Sequence, residues 1–214
     1  MHINWRLASR LSVVTLAVLV VILVTLLQQQ KSSGGAAPGA AQTDTRGSSA
    51  SSSLQGASLG NRAAPDFRLT DQYGKEIALS QFKGKPVVLT FMYTSCPDFC
   101  PLTAEKLHTA MQSLNQEAQN VGILAVSVDP QHDTIGAALK FSQAHNMQNY
   151  WHYLVGPREK LAPVWTAYNI YAIQPQSHSL GVYLIDKQGN ERVFLDSDFT
   201  ADQLAKDLQI LLKE

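Results

Sequence analysis

Cysteine is nearly absent from this 214-residue chain, which has two, Cys96 and Cys100, four positions apart. So few cysteines cannot form the multi-bridge framework that staples small exported domains, and the pair has to be judged as one site. An excess of either charge is also missing. Lys plus Arg and Asp plus Glu each total 17, so no basic field attracts a polyanion at long range and nucleic-acid binding is disfavoured. Residues 11–30 carry no charged side chain, and residues 28–60 carry no aromatic one. The first absence marks a segment bound for a membrane, the second a segment unable to bury enough apolar surface to fold. No cysteine follows the apolar run closely, which excludes a bacterial lipoprotein anchor.

The run itself, residues 11–27, is almost entirely Leu, Val, Ile, Ala and Thr and follows Arg6 and Arg10. Secretory apolar cores span about 7–15 residues, whereas spanning helices need about 17–25. The small residues around Ala37 to Ala41 lie too far downstream to serve as its cleavage site. Residues 1–27 are therefore expected to be a cytoplasmic start and an uncleaved transmembrane helix. The cationic start stays inside, which places everything beyond residue 27 on the extracytoplasmic, periplasmic side, an oxidising compartment. Residues 28–60, rich in Ser, Gly, Ala and Gln, read as a flexible linker with a reach of about 30 Å. Residues 61–214 form one domain of ordinary size.

Within that domain, the stretches 65–69 and 75–79 flank the turn sequence Asp71-Gln72-Tyr73-Gly74 and predict a short hairpin. Residues 86–93, PVVLTFMY, are continuously apolar, as in a strand buried on both faces. Leu107, Met111 and Leu114 fall on one side of a helix over 103–119. Strands are predicted at 121–128 and 151–155, and helices at 134–145 and 159–168. A hairpin follows, with strands at 180–186 and 192–195 around Lys187-Gln188-Gly189-Asn190, and a last helix starts near Thr200. This order predicts an α/β domain with a central, mostly parallel sheet flanked by helices, and it fits a thioredoxin-like arrangement. In such sheets active groups collect beyond the carboxyl ends of the strands, where the loop carrying Cys96 and Cys100 departs.

Residues 94–101 read Thr-Ser-Cys-Pro-Asp-Phe-Cys-Pro. With Cys100 near a helix start and Cys96 one turn before it, the two sulfurs converge, and unpaired amides there stabilise a thiolate. Pro101 suits a first helical turn, where its missing N–H costs nothing. The spacing permits both a redox-active disulfide and chelation. Two thiolates are soft donors that favour Cu(I) or zinc; structural zinc wants four ligands, whereas Cu(I) is content with two or three. An imidazole would complete the set, and His108, His132, His145, His152 and His178 are the candidates. His178 lies in a polar loop ahead of the 180–186 strand, a place where thioredoxin-like folds bring a loop across from the cysteines. Asp133 is expected to cap the helix beginning near Thr134.

Three ordered matches make the domain resemble the Sco/SenC family of copper proteins of cytochrome oxidase assembly. They are Cys96-Pro97-Asp98-Phe99-Cys100-Pro101, then Val126-Ser127-Val128-Asp129-Pro130 with Asp133-Thr134, then Ser177-His178-Ser179 ahead of Tyr183-Leu184-Ile185-Asp186. The resemblance implies that Cys96, Cys100 and His178 together hold copper. It also implies that the domain donates copper to the dinuclear centre of cytochrome c oxidase subunit II and acts as a thiol reductant toward that subunit's cysteines. Many members carry an acidic residue where Ser177 stands, so any tuning by that carboxylate is lost here.

The reading is of a metallochaperone, a binding and delivery protein and not a turnover enzyme. Its main competitor is an extracytoplasmic thiol–disulfide oxidoreductase, but the usual spacing there is Cys-x-x-Cys, and here three residues intervene. Dithiol exchange has no need of His178, whereas three-coordinate copper does. Peroxide reduction would call for a cation beside one thiol, and neither Arg nor Lys flanks Cys96 or Cys100.

Overall fold

In this computed structural model the described residues are Ile22, 53–170 and 181–214. The anchor expected over 11–27 falls outside them except for Ile22, as does the linker up to residue 52. No helix among the described residues is long and apolar enough to cross a membrane.

The domain opens with strand β1 (Ala57–Ala63), the hairpin strands β2 (Arg68–Thr70) and β3 (Glu76–Ala78), and a short 3-10 turn, Leu79–Phe82. Strand β4 (Val87–Met92) then leads into helix α1 (Phe99–Leu114), which ends in a second 3-10 turn, Asn115–Asn120. Strand β5 (Gly122–Ser127), helix α2 (Ile135–Ala144), strand β6 (His152–Leu154) and helix α3 (Arg158–Ala167) follow. Strands β7 (Gly181–Ile185) and β8 (Asn190–Asp196) and helix α4 (Ala201–Lys213) complete the chain.

Six strands make one sheet in the order β1-β8-β7-β4-β5-β6, and β2 pairs β3 separately. Every residue of β4 and β5 is buried, as their unbroken apolar runs predict for strands covered on both faces. The registers put Phe91 on one face and Tyr153 on the other. Phe91 packs against Tyr168 and Tyr183, with ring centroids 5.7 and 6.2 Å away, whereas Tyr153 meets Phe141 of α2 at 5.8 Å. Helical or post-helical residues therefore close both faces.

Two expectations need correction. The sheet is mixed, not mostly parallel: β4–β5 and β5–β6 are parallel, while β4–β7, β7–β8 and β1–β8 are antiparallel. The turn between β7 and β8 is the reason. Asp186 Oδ1 accepts the N–H groups of Gln188 and Asn190, and Gly189 takes φ +87°, so the connection is too short for a parallel crossover. The second correction concerns the domain boundary, expected at 61. Strand β1 begins at Ala57 and pairs with β8, and Leu54 and Leu59 pack against the core. β1 is mostly exposed, so its pairing comes from backbone hydrogen bonds that polar composition does not announce.

Thr200 accepts the N–H of Gln203 and caps α4, whose inward side buries Leu204, Leu208 and Leu211 together with Asp207. Asp207 is fully buried; its Oδ1 accepts the Gln55 N–H at 3.1 Å, while Oδ2 has no hydrogen-bond partner among the described residues. Burial, only partly opposed by the Gln55 bond, pushes the carboxyl up to about 6. That is above the unfolded value of about 3.9, so the group favours the fold below pH about 4 and this advantage is lost as pH rises through about 6. Asp207→Asn is expected to be about 1–3 kcal/mol more stable than the parent at pH 7.5 and nearly equal to it at pH 4, as read by urea unfolding at the two pH values.

Candidate metal centre

Strand β4 ends at Met92, and the chain from Tyr93 to Asp98 turns from the sheet into α1. The helix begins at Phe99, four residues earlier than the apolar spacing suggests, so Cys100 lies in its first turn and Pro101 directly after it. Neither proline nor Asp98 supplies a side-chain cap. A sulfur does that work instead, because the Cys100 N–H donates to Cys96 Sγ at 3.4 Å. This is the convergence that the spacing predicts, with one of the orphan amides of the helix start satisfied by the candidate ligand itself. Cys96 Sγ is brought back over the helix start by a tight turn in which the Cys96 N–H donates to the Tyr93 carbonyl at 3.3 Å.

Both cysteines are reduced and buried, with 9% of Cys96 and 2% of Cys100 exposed. Their electrostatics differ. Burial pushes the Cys96 thiol up, but it is outweighed by the hydrogen bonds Cys96 receives from the Cys100 thiol, from the backbone at Cys100 and Asp98, and from the Tyr93 hydroxyl. Cys96 is held below the ordinary thiol range. Cys100 goes the other way: burial raises its thiol far above that range, a backbone bond at Tyr93 opposes the rise, and the neighbouring Cys96 adds to it. Tyr93 is itself pushed up to about 12, by burial first and by Cys96 next. The two thiols are thus driven in opposite directions, Cys96 toward easier ionisation and Cys100 away from it.

Among the described residues, no group of three His, Cys, Asp or Glu side chains is placed to hold a metal ion. Of the five candidate histidines, four are engaged elsewhere. His108 packs edge-on against Tyr150, His145 packs at a tilt against Phe141, His132 Nδ1 meets Asp129 Oδ2 at 2.7 Å, and His152 Nδ1 meets the buried Asp71 Oδ2 at 2.9 Å. His178 lies in 171–180, outside the described residues.

Two features of the site go beyond the sequence reading. Tyr93 closes the apolar PVVLTFMY run, and its hydroxyl, the one polar atom on that side chain, reaches Cys96. Asp133 does not cap α2. Thr134 does, accepting the Ala137 N–H at 3.1 Å. The Asp133 carboxylate, 4% exposed, instead accepts from Thr94, Ser127 and Tyr153. Burial holds this carboxyl above the usual carboxylate range against the pull of those bonds.

The asymmetry of the two thiols predicts their reactivity. Iodoacetamide at pH 7.5 is expected to label Cys96 ahead of Cys100, and Tyr93→Phe is expected to slow Cys96 labelling and move its pH profile upward, as read by peptide mass spectrometry. Equal labelling of the two cysteines would contradict the assignment.

The SCO1/SenC family model matches residues 55–213. The mitochondrial SCO2 homolog of Bos taurus is 32% identical over 135 residues, which cover 58% of this chain and 50% of that protein. An SCO2-like protein of Rickettsia conorii is 28% identical over 144 residues, 62% of this chain and 69% of that one. The chain thus spans about half the length of its bovine relative. Among solved structures, copper-bound ScoI of Bradyrhizobium japonicum superposes with a TM-score of 0.62 at 28% identity, covering 70% of this chain and 99% of that one. Apo Sco1 from Thermus thermophilus gives 0.64 at 29% identity, covering 75% and 98%. The match of the family model across both cysteines and almost the whole described domain means that the chain belongs to the SCO1/SenC family.

Proposed function

We propose that this chain is a membrane-tethered copper-binding assembly factor that carries copper as cargo on the extracytoplasmic side and donates it to the dinuclear copper centre of cytochrome c oxidase subunit II. The observation that carries the reading is the contact of Cys96 Sγ with the first turn of α1, which brings the thiols of Cys96 and Cys100 together. Two soft sulfur donors suit Cu(I), and the described domain has no further cysteine with which to complete a four-sulfur zinc site. ScoI of Bradyrhizobium japonicum, which shares the fold and 28% of the sequence, is solved with copper bound.

His178 is the third donor in this reading, and strand register supports it. Strand β7 runs antiparallel to β4, with Val182 opposite Thr90, and the Thr90 hydroxyl donates to the Gly181 carbonyl at 3.0 Å. The end of β4 that leads to Cys96 is therefore the end at which β7 begins. His178 is three residues before Gly181, within about 10 Å of extended chain. Cys96 and Cys100 hold the metal when reduced; a disulfide between them would remove both sulfurs from coordination. The predicted anchor over residues 11–27 and the linker behind it would let the domain approach a client in the same membrane.

The test is an anaerobic Cu(I) titration of the reduced full-length chain in detergent against a competing chelator. One copper per chain is expected. Cys96→Ser and Cys100→Ser should each abolish tight binding, and His178→Ala should weaken it at least tenfold and change the copper–ligand X-ray absorption signature. Unchanged copper content in all three variants would sink the site. In cells, loss of the protein is expected to lower oxidase activity when copper is scarce.

A further inference from the structure

Behind the cysteines lies a buried carboxylate that the copper-binding reading does not use. Asp133 Oδ1 accepts the Thr94 N–H at 2.9 Å and the Thr94 hydroxyl at 2.6 Å. Its Oδ2 accepts the Ser127 hydroxyl at 2.6 Å and the Tyr153 hydroxyl at 3.3 Å. Ser127 is the last residue of β5 and Tyr153 is the middle residue of β6. Ser127 is itself held, since its oxygen accepts the Asp129 N–H and its carbonyl accepts the Trp165 indole N–H. One oxygen of Asp133 is therefore fixed to the sheet and the other grips the loop that carries Cys96.

Cys100 needs no such grip, because it is buried on a regular helix. Cys96 sits in the turn between strand and helix, two residues beyond Thr94, and the Cys96 N–H to Tyr93 carbonyl bond makes the intervening turn tight. Fixing Thr94 fixes the starting point of that turn. We infer that Asp133 is a positioning residue for the metal centre: through Thr94 it sets where Cys96 Sγ stands relative to Cys100 Sγ. A carboxylate suits the task because it is an acceptor at both oxygens, and all four groups turned toward it are donors. The inference rests on Cys96 and Cys100 being the working pair.

Pre-positioning two thiols raises their effective concentration toward one another. The readout is therefore the equilibrium constant for closing the Cys96–Cys100 disulfide, measured without metal on the full-length chain in glutathione buffers. Closure forms one S–S bond in the protein and converts one glutathione disulfide into two glutathione thiols, so the reaction balances. Asp133→Ala is expected to lower this constant at least tenfold, a rise of about 30 mV in reduction potential. Thr94→Val, which keeps the shape and loses the hydroxyl, should lower it at least threefold. Asp133→Asn retains an oxygen for Thr94 and an amide that Ser127 and Tyr153 can accept, and should stay within twofold of the parent.

Parental constants in Asp133→Ala and Thr94→Val would overturn the inference. So would a loss in Asp133→Asn as large as in Asp133→Ala with Thr94→Val at the parental value, since charge and not position would then be at work. If Asp133→Ala does not fold, Thr94→Val decides the matter. Because copper is absent throughout, a failed copper titration would count against the proposed function without deciding this test.

Discussion

Strand β4 is paired on both sides and buried on both faces, and the rest of the molecule is arranged around that confinement. A strand so enclosed can release its chain only at its ends. At the Met92 end it lies parallel to β5, whose last residue, Ser127, is directly opposite Met92. On its other side it lies antiparallel to β7, so the chain enters β7 at the same end. Three connections remote in sequence are thereby delivered to one edge of the sheet: the Cys96 loop, the Asp129 to Asp133 turn, and the approach to Gly181. The Val128 N–H donates to the Met92 carbonyl at 3.0 Å and carries the pairing just past the strands, which keeps the first two connections in step. The site is a product of strand direction before it is a product of any side chain.

Strand direction also explains what could be read in advance. The runs 86–93 and 121–128 were legible because strands buried on both faces need unbroken apolar sequence, and α1 because one apolar side recurs at helical spacing. β1 was hidden for the opposite reason: an exposed edge strand with a single apolar residue larger than Ala, Leu59, is held largely by backbone hydrogen bonds, which leave little mark on composition. The mixed character of the sheet was implicit in the Lys187 to Asn190 turn, since a tight hairpin forces antiparallel neighbours. At the site, cysteine spacing predicted convergence at a helix start, and the structure has it. Asp133 was misassigned because Asp-Thr before a helix offers two capping side chains, and sequence cannot say which one turns inward. Here the hydroxyl of Thr134 caps, and the carboxylate is left free to bind three other hydroxyls and an amide.

The division of the two sulfurs between a loop and a helix bears on what the site can do. A disulfide requires the sulfurs to close to about 2.05 Å. Two thiolates on one copper ion, each bonded to the metal and not to the other, must stand farther apart. Cysteines a turn apart on a single rigid helix would have to distort it to meet both demands. With Cys100 on α1 and Cys96 on the preceding turn, the change of separation falls on a few loop dihedrals. Mobility alone would be costly, since an unrestrained loop would lose entropy each time it closed on metal or sulfur. The observed arrangement limits that cost: Thr94 is held to the sheet through Asp133, and the bond from the Cys96 N–H to the Tyr93 carbonyl tightens the turn that follows. In the copper carrier proposed above, which must both hold its metal and let it go, Cys96 would be the ligand set next to a fixed point.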